Sequence, residues 1–123
     1  MKNRILMVDD EPEFLELTKL RLEANGYVVA TADEGQSALA VAQEFKPDLI
    51  VLDINMPGMD GGDVAERIHA TPELAQTPIV FLTALISENE AATTQSSVQG
   101  EHFLSKAGGS ERLLDYVKKT LAN

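Results

Sequence analysis

Five short runs of apolar residues alternate with segments of helical periodicity, and this alternation limits the folds open to the chain. The apolar runs predict strands, which cover Ile5–Val8, Tyr27–Thr31, Asp48–Leu52, Ile79–Leu82 and His102–Ser105. The remaining segments predict helices, which cover Pro12–Ala24, Gly35–Phe45, Gly62–Ala70, Glu88–Val98 and Ser110–Leu121. Strands that alternate with helices form parallel sheets joined by right-handed crossovers. We therefore expect an α/β fold, with a five-stranded parallel sheet and helices on both faces.

Two local signals mark helix ends. Gly26 follows the first predicted helix, at a position where glycine commonly takes the left-handed conformation. Asp33 and Gln36 have the spacing of a capping box. This pattern predicts that the Asp33 side chain caps the second helix.

Length, charge and cysteine content narrow the class of protein. The chain has 123 residues, which is enough for one domain over residues 1–123 and too few for two ordinary ones. Its net charge of -10 argues against direct contact with nucleic acid or anionic membranes, where basic residues supply the affinity. It has no cysteine, and no apolar run has the length of a signal peptide or a membrane span. These features predict a cytoplasmic protein.

Acidic residues follow two of the predicted strands. Asp53 comes after the buried run Leu49–Leu52 and shortly before the turn residues Pro57–Gly58, and Asp9 and Asp10 follow the first strand. Ligands of such sheets bind outside the carboxyl ends of the strands. The three carboxylates therefore predict one acidic pocket for a hard divalent cation. The alternatives are that Asp9 and Asp10 only favour the start of a helix and that Asp53 only starts a loop.

A hydroxyl and an ammonium group follow the next two strands. Thr83 comes after the fourth strand and Lys106 after the fifth. A carboxylate such as Asp53 can attack phosphorus to form an aspartyl phosphate, and a hydroxyl, an ammonium group and a cation can hold the phosphoryl oxygens. Taken alone, Thr83 is an ordinary β-branched residue at a strand end, and Lys106 is an ordinary solvated lysine.

Together these residues resemble the receiver domain of two-component response regulators, especially the single-domain type similar to the chemotaxis response regulator. The motifs that carry the resemblance are Arg4–Glu11, Asp53, Met56–Gly61, Thr83–Ala84 and Lys106. The resemblance covers essentially the whole chain. It implies a flavodoxin-like, doubly wound sheet with strand order 2-1-3-4-5 and one receiver domain over residues 1–123.

The resemblance also implies a metal site and a phosphoacceptor. Asp53 is expected to accept a phosphoryl group from a phosphohistidine of a sensor histidine kinase or a histidine phosphotransfer protein. Asp10, Asp53 and the backbone carbonyl of Asn55 are expected to ligate Mg2+ (or Mn2+) directly. Asp9 is expected to act through a metal-bound water.

The remaining implied roles concern phosphoryl contact and signalling. Thr83 and Lys106 are expected to contact the phosphoryl group. Movement of Thr83 toward that group is expected to let Phe103 turn inward, which changes the face formed by the fourth helix, fifth strand and fifth helix. That face is then expected to meet a downstream protein, and the chain is expected to be a monomer or a phosphorylation-dependent dimer. The alternative for Phe103 is plain core packing.

One motif departs from the family pattern. Most receivers have proline after the lysine, where this chain has Ala107. The family's peptide bond at this point is usually cis, and a cis bond before a non-proline residue costs about 2.5–4 kcal/mol. We therefore expect a trans bond between Lys106 and Ala107, or a strained cis bond held by the site.

The leading hypothesis is a signalling module that catalyses only its own phosphorylation and dephosphorylation, so it is not an enzyme with a separate substrate. One alternative is a pseudo-receiver that binds partners without being phosphorylated; the intact acidic set argues against it, and the Ala107 departure keeps it open. Another is a phosphohydrolase with an aspartyl nucleophile. The sequence Asp53-Ile54-Asn55 lacks the second acid of the Asp-x-Asp pattern that such enzymes use.

Overall fold

The alternation of strands and helices in the sequence is retained in the fold. The computed structural model describes residues 3–54, 56, 60–83, 102–105 and 109–122. Its elements are β1 (Arg4–Val8), α1 (Pro12–Ala24), β2 (Val28–Ala32), α2 (Gly35–Phe45), β3 (Leu49–Asp53), α3 (Gly61–Ala70), β4 (Ile79–Thr83), β5 (His102–Ser105) and the last helix (Gly109–Leu121). Each boundary lies within one residue of the predicted boundary. The helix predicted over 88–98 lies outside the described residues.

The sheet confirms the predicted fold class. It has five strands in the order β2-β1-β3-β4-β5, and every neighbouring pair is parallel. The chain places β2 on one side of β1 and β3 on the other, so the direction in which strands are added to the sheet reverses at β1. In open α/β sheets the ligand crevice lies at such a switch point, at the carboxyl ends of the strands.

Helices cover both faces of the sheet, and the strand residues alternate between them. Met7 and Val51 belong to an apolar cluster with α1 and the last helix. Leu52 and Phe81 belong to a second cluster with α2 and α3. Every residue of β3 is buried, as expected for a strand covered on both faces. Asp53 therefore ends a strand that is buried along its whole length.

The two helix-end signals have different outcomes. Gly26 has a φ of 94°, so the left-handed conformation predicted there is confirmed. The prediction that Asp33 caps α2 is wrong, because the N-cap is Glu34, and its side chain forms no capping hydrogen bond with the described residues. Glu34 is extended, with φ -150° and ψ 163°, and its carbonyl accepts from the Ala38 amide at 3.0 Å. The extended chain thus runs one residue further than the capping pattern implies.

Contacts around Arg4 tie the amino edge of the sheet to α2. Its Nε and Nη2 donate to the carbonyl of Phe45 at 2.9 and 2.6 Å, and its guanidinium lies 4.2 Å from the centre of the Phe45 ring. Its backbone amide donates to Asp48 Oδ2 at 3.0 Å. These contacts anchor the edge of the sheet opposite the acidic residues.

Replacing Thr18 with valine will stabilise the protein. Thr18 is 1% exposed on the inner face of α1, and its hydroxyl has no hydrogen-bond partner within the described part of the chain. A buried hydroxyl without a partner has lost its bonds to water, so an apolar group of the same shape should raise the free energy of unfolding by about 1 kcal/mol. Urea unfolding followed by far-UV circular dichroism measures this change. A less stable valine variant would mean that the hydroxyl has a partner.

Candidate functional site

Three carboxylates meet at the carboxyl edge of the sheet. Asp9 and Asp10 follow β1, and Asp53 is the last residue of β3, the strand beside β1. The register pairs Val8 with Leu52, so the acids that follow these residues lie side by side. One carboxylate oxygen from each of Asp9, Asp10 and Asp53 lies within 4.8 Å of the other two. The predicted acidic pocket is therefore present.

The two acids after β1 differ in their surroundings. Asp9 is fully buried, its amide donates to the carbonyl of Ala32 at 3.1 Å, and its Oδ1 accepts from the Glu11 amide at 2.9 Å. Asp10 is exposed. Pro12 then begins α1, where its missing N–H costs nothing. Asp9 thus has one oxygen engaged by the protein, while Asp10 stands at the mouth of the pocket.

The donor set fits a hard divalent cation. Three carboxylates this close repel one another, and a bound cation offsets that repulsion. Mg2+ binds oxygen ligands and keeps several waters, so it needs few carboxylates and an opening to solvent. The pocket supplies both, because Asp9 and Asp53 are buried while Asp10 is exposed.

The backbone after Asp53 is held on two sides. The Ile54 amide donates to the carbonyl of Leu82 in β4 at 3.0 Å, and the Ile54 carbonyl accepts from the Gly61 amide at 3.2 Å. A Cβ atom built on Gly61 would lie 2.5 Å from the Asp53 carbonyl oxygen. The sequence motif included Gly61, but no role was predicted for it. The sequence signal for this role is that the glycine directly follows the capping residue of α3. That residue is Asp60, and its side chain caps the helix by accepting from the Asp63 amide.

Thr83 lies on the neighbouring strand, one residue beyond the partner of Asp53. The register pairs Asp53 with Leu82 and Thr83 with Ser105. Thr83 and Ser105 are 4% and 2% exposed, so two hydroxyl-bearing residues are buried side by side at the ends of β4 and β5. Sequence reasoning missed Ser105, because a serine within a short strand carries no distinctive signal.

Phe103 in β5 stacks on an aromatic residue of the neighbouring strand β4. It pairs with Phe81 in the register, and the ring centroids are 5.2 Å apart with an interplanar angle of 28°. Phe103 is half-buried against the cluster that contains α2 and α3. Thr83 follows Phe81 by two residues, so strand alternation directs both to the same face. Thr83 therefore lies two residues further along the strands than Phe103 and one strand away from it in the sheet.

Two residues predicted for the site, Asn55 and Lys106, lie outside the described residues, as does the peptide bond between Lys106 and Ala107. The described part of the site thus comprises Asp9, Asp10 and Asp53, with Thr83 beside them. No helix among the described residues is both long and apolar enough to cross a membrane.

Comparisons with known proteins agree with this geometry. The model of the response regulator receiver domain family matches residues 5–118. The DNA-binding dual master transcriptional regulator RpaA of Synechocystis is 34% identical over 123 residues, which is 96% of this chain and 48% of RpaA. The response regulator PleD of Caulobacter vibrioides is 44% identical over 85 residues, which is 69% of this chain and 19% of PleD. The chain therefore spans about half or less of the length of these relatives.

Solved structures of similar fold cover nearly the whole chain. The chemotaxis protein CheY4 of Vibrio cholerae superposes with a TM-score of 0.83 and 30% identity, covering 98% of this chain and 100% of CheY4. A response regulator from Desulfuromonas acetoxidans superposes with a TM-score of 0.81 and 26% identity, covering 97% of this chain and 96% of that protein. Sequence and fold thus point to the same family.

Proposed function

We propose a function for this chain on the premise that it belongs to the response regulator receiver domain family, as the match over residues 5–118 shows. Receiver domains are signalling modules of two-component systems and do not turn over a separate substrate. We propose that Asp53 accepts a phosphoryl group from a phosphohistidine of a sensor histidine kinase or a histidine phosphotransfer protein. The observation that carries this proposal is the cluster of Asp9, Asp10 and Asp53 at the carboxyl edge of the sheet.

The phosphotransfer step uses Asp53 as the nucleophile. One of its carboxylate oxygens attacks phosphorus, an O–P bond forms, and the P–N bond of the phosphohistidine breaks. The electron pair of the broken bond stays on the imidazole nitrogen, which takes up a proton. Hydrolysis of the resulting acyl phosphate by water restores the carboxylate and releases phosphate. The chain therefore returns to its starting state without consuming another metabolite.

Asp10, Asp53 and the backbone carbonyl of Asn55 would hold Mg2+ or Mn2+ directly, and Asp9 would hold it through a water. Bound there, the cation supplies positive charge that offsets the repulsion between the acids and the incoming phosphoryl oxygens. The exposure of Asp10 supports a direct role for it. The bond from the Glu11 amide to Asp9 Oδ1 supports a more distant role for Asp9.

Thr83 and Lys106 would contact the phosphoryl oxygens, and Thr83 would couple phosphorylation to Phe103. The position of Thr83, one residue beyond the partner of Asp53, supports that contact. The stack of Phe103 on Phe81 supports the coupling, because Phe103 cannot rotate without breaking this contact. Rotation of Phe103 would change the face formed by β5, the last helix and the helix predicted over 88–98. A downstream protein would recognise the changed face.

The phosphodonor is proposed to be a protein. This chain is proposed to act in the cytoplasm. Leu17 and Leu20 are 67% and 59% exposed on α1, the helix that begins beside Asp10. Large apolar side chains that are exposed together on one surface mark sites of contact with other proteins. The net charge of -10 supports the absence of direct nucleic acid contact. The chain would act as a monomer or a phosphorylation-dependent dimer.

Incubation with acetyl phosphate, followed by intact-mass measurement, tests the proposal. We expect a mass increase of one phosphoryl group that requires Mg2+ and does not form when a chelator is present from the start, since the three carboxylates need a cation before they admit an anion. A receiver domain of known activity serves as the positive control. An unmodified chain beside a modified control would favour the pseudo-receiver alternative. Steady hydrolysis of unrelated phosphate esters would favour the phosphohydrolase alternative.

A further inference from the structure

We infer that Gly61 is a positioning residue for the phosphoacceptor, because the lack of a side chain at this residue sets where the backbone of Asp53 and Ile54 lies. The inference rests on the proposed function, since it concerns the same site. Gly61 is the first residue of α3 and is buried. It does not touch the phosphoryl group in this proposal and acts only through Asp53.

Gly61 approaches the backbone of the phosphoacceptor too closely for any side chain. A Cβ atom built on Gly61 would lie 2.5 Å from the Asp53 carbonyl oxygen, 3.0 Å from Ile54 Cα and 3.1 Å from the Asp53 carbonyl carbon. All three atoms belong to the backbone, so no side-chain rotation can relieve the contact. The same close approach lets the Gly61 amide donate to the Ile54 carbonyl at 3.2 Å.

Neither partner in this contact can move independently of the core. Asp53 ends the buried strand β3, and the Ile54 amide that follows is bonded to the carbonyl of Leu82. On the other side, α3 is fixed by Val64, Ala65 and Ile68, which are at most 3% exposed. A methyl group at residue 61 must therefore push the start of α3 outward or push the Asp53–Ile54 peptide inward.

Either movement reaches the functional site. An inward push displaces the backbone of Asp53, whose carboxylate lies within 4.8 Å of those of Asp9 and Asp10. An outward push breaks the bond from the Gly61 amide to the carbonyl of Ile54, the residue directly after Asp53. Metal sites are sensitive to small displacements of their ligands. Mutating a group that only supports the ligands therefore typically lowers metal affinity or activity by about 10–100-fold.

The neighbouring glycine provides a matched control. A Cβ atom on Gly62 would meet only Asp60 Oδ1, at 3.3 Å, and Gly62 is exposed. Gly61→Ala and Gly62→Ala are the same chemical change at adjacent residues in the first turn of α3. Both substitutions replace glycine with alanine in a helix, so both gain the same helix propensity. A difference between the two variants therefore reports the contact with Asp53.

Three measurements on the full chain decide the inference: Mg2+ affinity by calorimetry, the rate of phosphorylation by acetyl phosphate, and metal-free amide nitrogen–proton spectra. For Gly61→Ala we expect Mg2+ affinity and phosphorylation rate to fall by about 10–100-fold. We also expect the amide signals of Ile54 and Leu82 to shift without metal. Gly62→Ala should match the wild type in all three. Wild-type values for Gly61→Ala would overturn the inference.

The design separates this inference from the proposed function. A wild type that binds Mg2+ but accepts no phosphoryl group defeats the proposed function, and Mg2+ affinity then decides the role of Gly61. If the wild type binds no Mg2+, the metal-free spectra decide the role of Gly61. Unshifted Ile54 and Leu82 signals in Gly61→Ala would then overturn that role.

A second pair of variants covers the case in which Gly61→Ala does not fold. Thr18→Val lies on α1, outside this contact, and is expected to stabilise the fold. The double variant of Gly61→Ala with Thr18→Val should fold and bind Mg2+ more weakly than Thr18→Val alone. Equal affinity of the two would overturn the inference.

Discussion

An Asp53→Asn variant will accept no phosphoryl group from acetyl phosphate in the presence of Mg2+. The amide oxygen of asparagine carries no formal charge and is a poor nucleophile, so the O–P bond cannot form. Asn has nearly the shape of Asp, and Asp53 is 4% exposed at the end of β3, so the packing around it should be retained. Intact-mass measurement should therefore find only the unmodified chain.

The metal-free stability of this variant should not fall. Asp53 shares a pocket with Asp9 and Asp10, with carboxylate oxygens within 4.8 Å of one another, and removing one charge relieves their repulsion. Asp115→Asn, an exposed substitution on the last helix, is the control with the same change of charge. It should be phosphorylated like the wild type. An adduct that persists in Asp53→Asn would place the phosphoryl group on another residue, which peptide mapping would identify.

The acidic pocket could be predicted from the sequence because it depends on strand pattern. The apolar runs before Asp9 and Asp53 determine which residues end β1 and β3, and adjacent parallel strands bring their ends to one edge. The register of Val8 with Leu52 then follows from matching the buried residues of the two strands. Thr83 was located by the same reasoning, one strand further along the sheet.

Features that depend on contacts between distant segments could not be predicted in the same way. The role of Gly61 requires the distance from α3 to the Asp53 carbonyl, and no local pattern encodes that distance. The stack of Phe103 on Phe81 depends on the register of β4 with β5, which are separated by a long segment. The cap of α2 was assigned to the wrong residue for the opposite reason, although the start of the helix at Gly35 was predicted correctly. The capping pattern at Asp33 is local, and the extended conformation of Glu34 overrides it.

An Asp10→Asn variant will lose most of its Mg2+ affinity while gaining stability without the metal. Asp10 is exposed at the mouth of the pocket and is the proposed direct ligand, so its loss should weaken Mg2+ binding by about 10–100-fold. Without Mg2+, the lost repulsion should raise the free energy of unfolding by about 1 kcal/mol, the size of one pair interaction near 4 Å in water. These opposite signs distinguish a ligand from a residue that merely supports the fold.

Urea unfolding with and without Mg2+ measures both effects. A ligand that binds only the folded state stabilises it, so Mg2+ should raise the midpoint of the wild type and hardly change that of Asp10→Asn. Asp9→Asn should show an intermediate loss of affinity, because Asp9 is proposed to act through water. Its metal-free gain should be smaller, since Asp9 is fully buried and a buried amide N–H needs an acceptor. Equal loss of Mg2+ binding in both variants would contradict the distinction between a direct and a water-mediated ligand, and an unchanged affinity in Asp10→Asn would exclude Asp10 as a ligand.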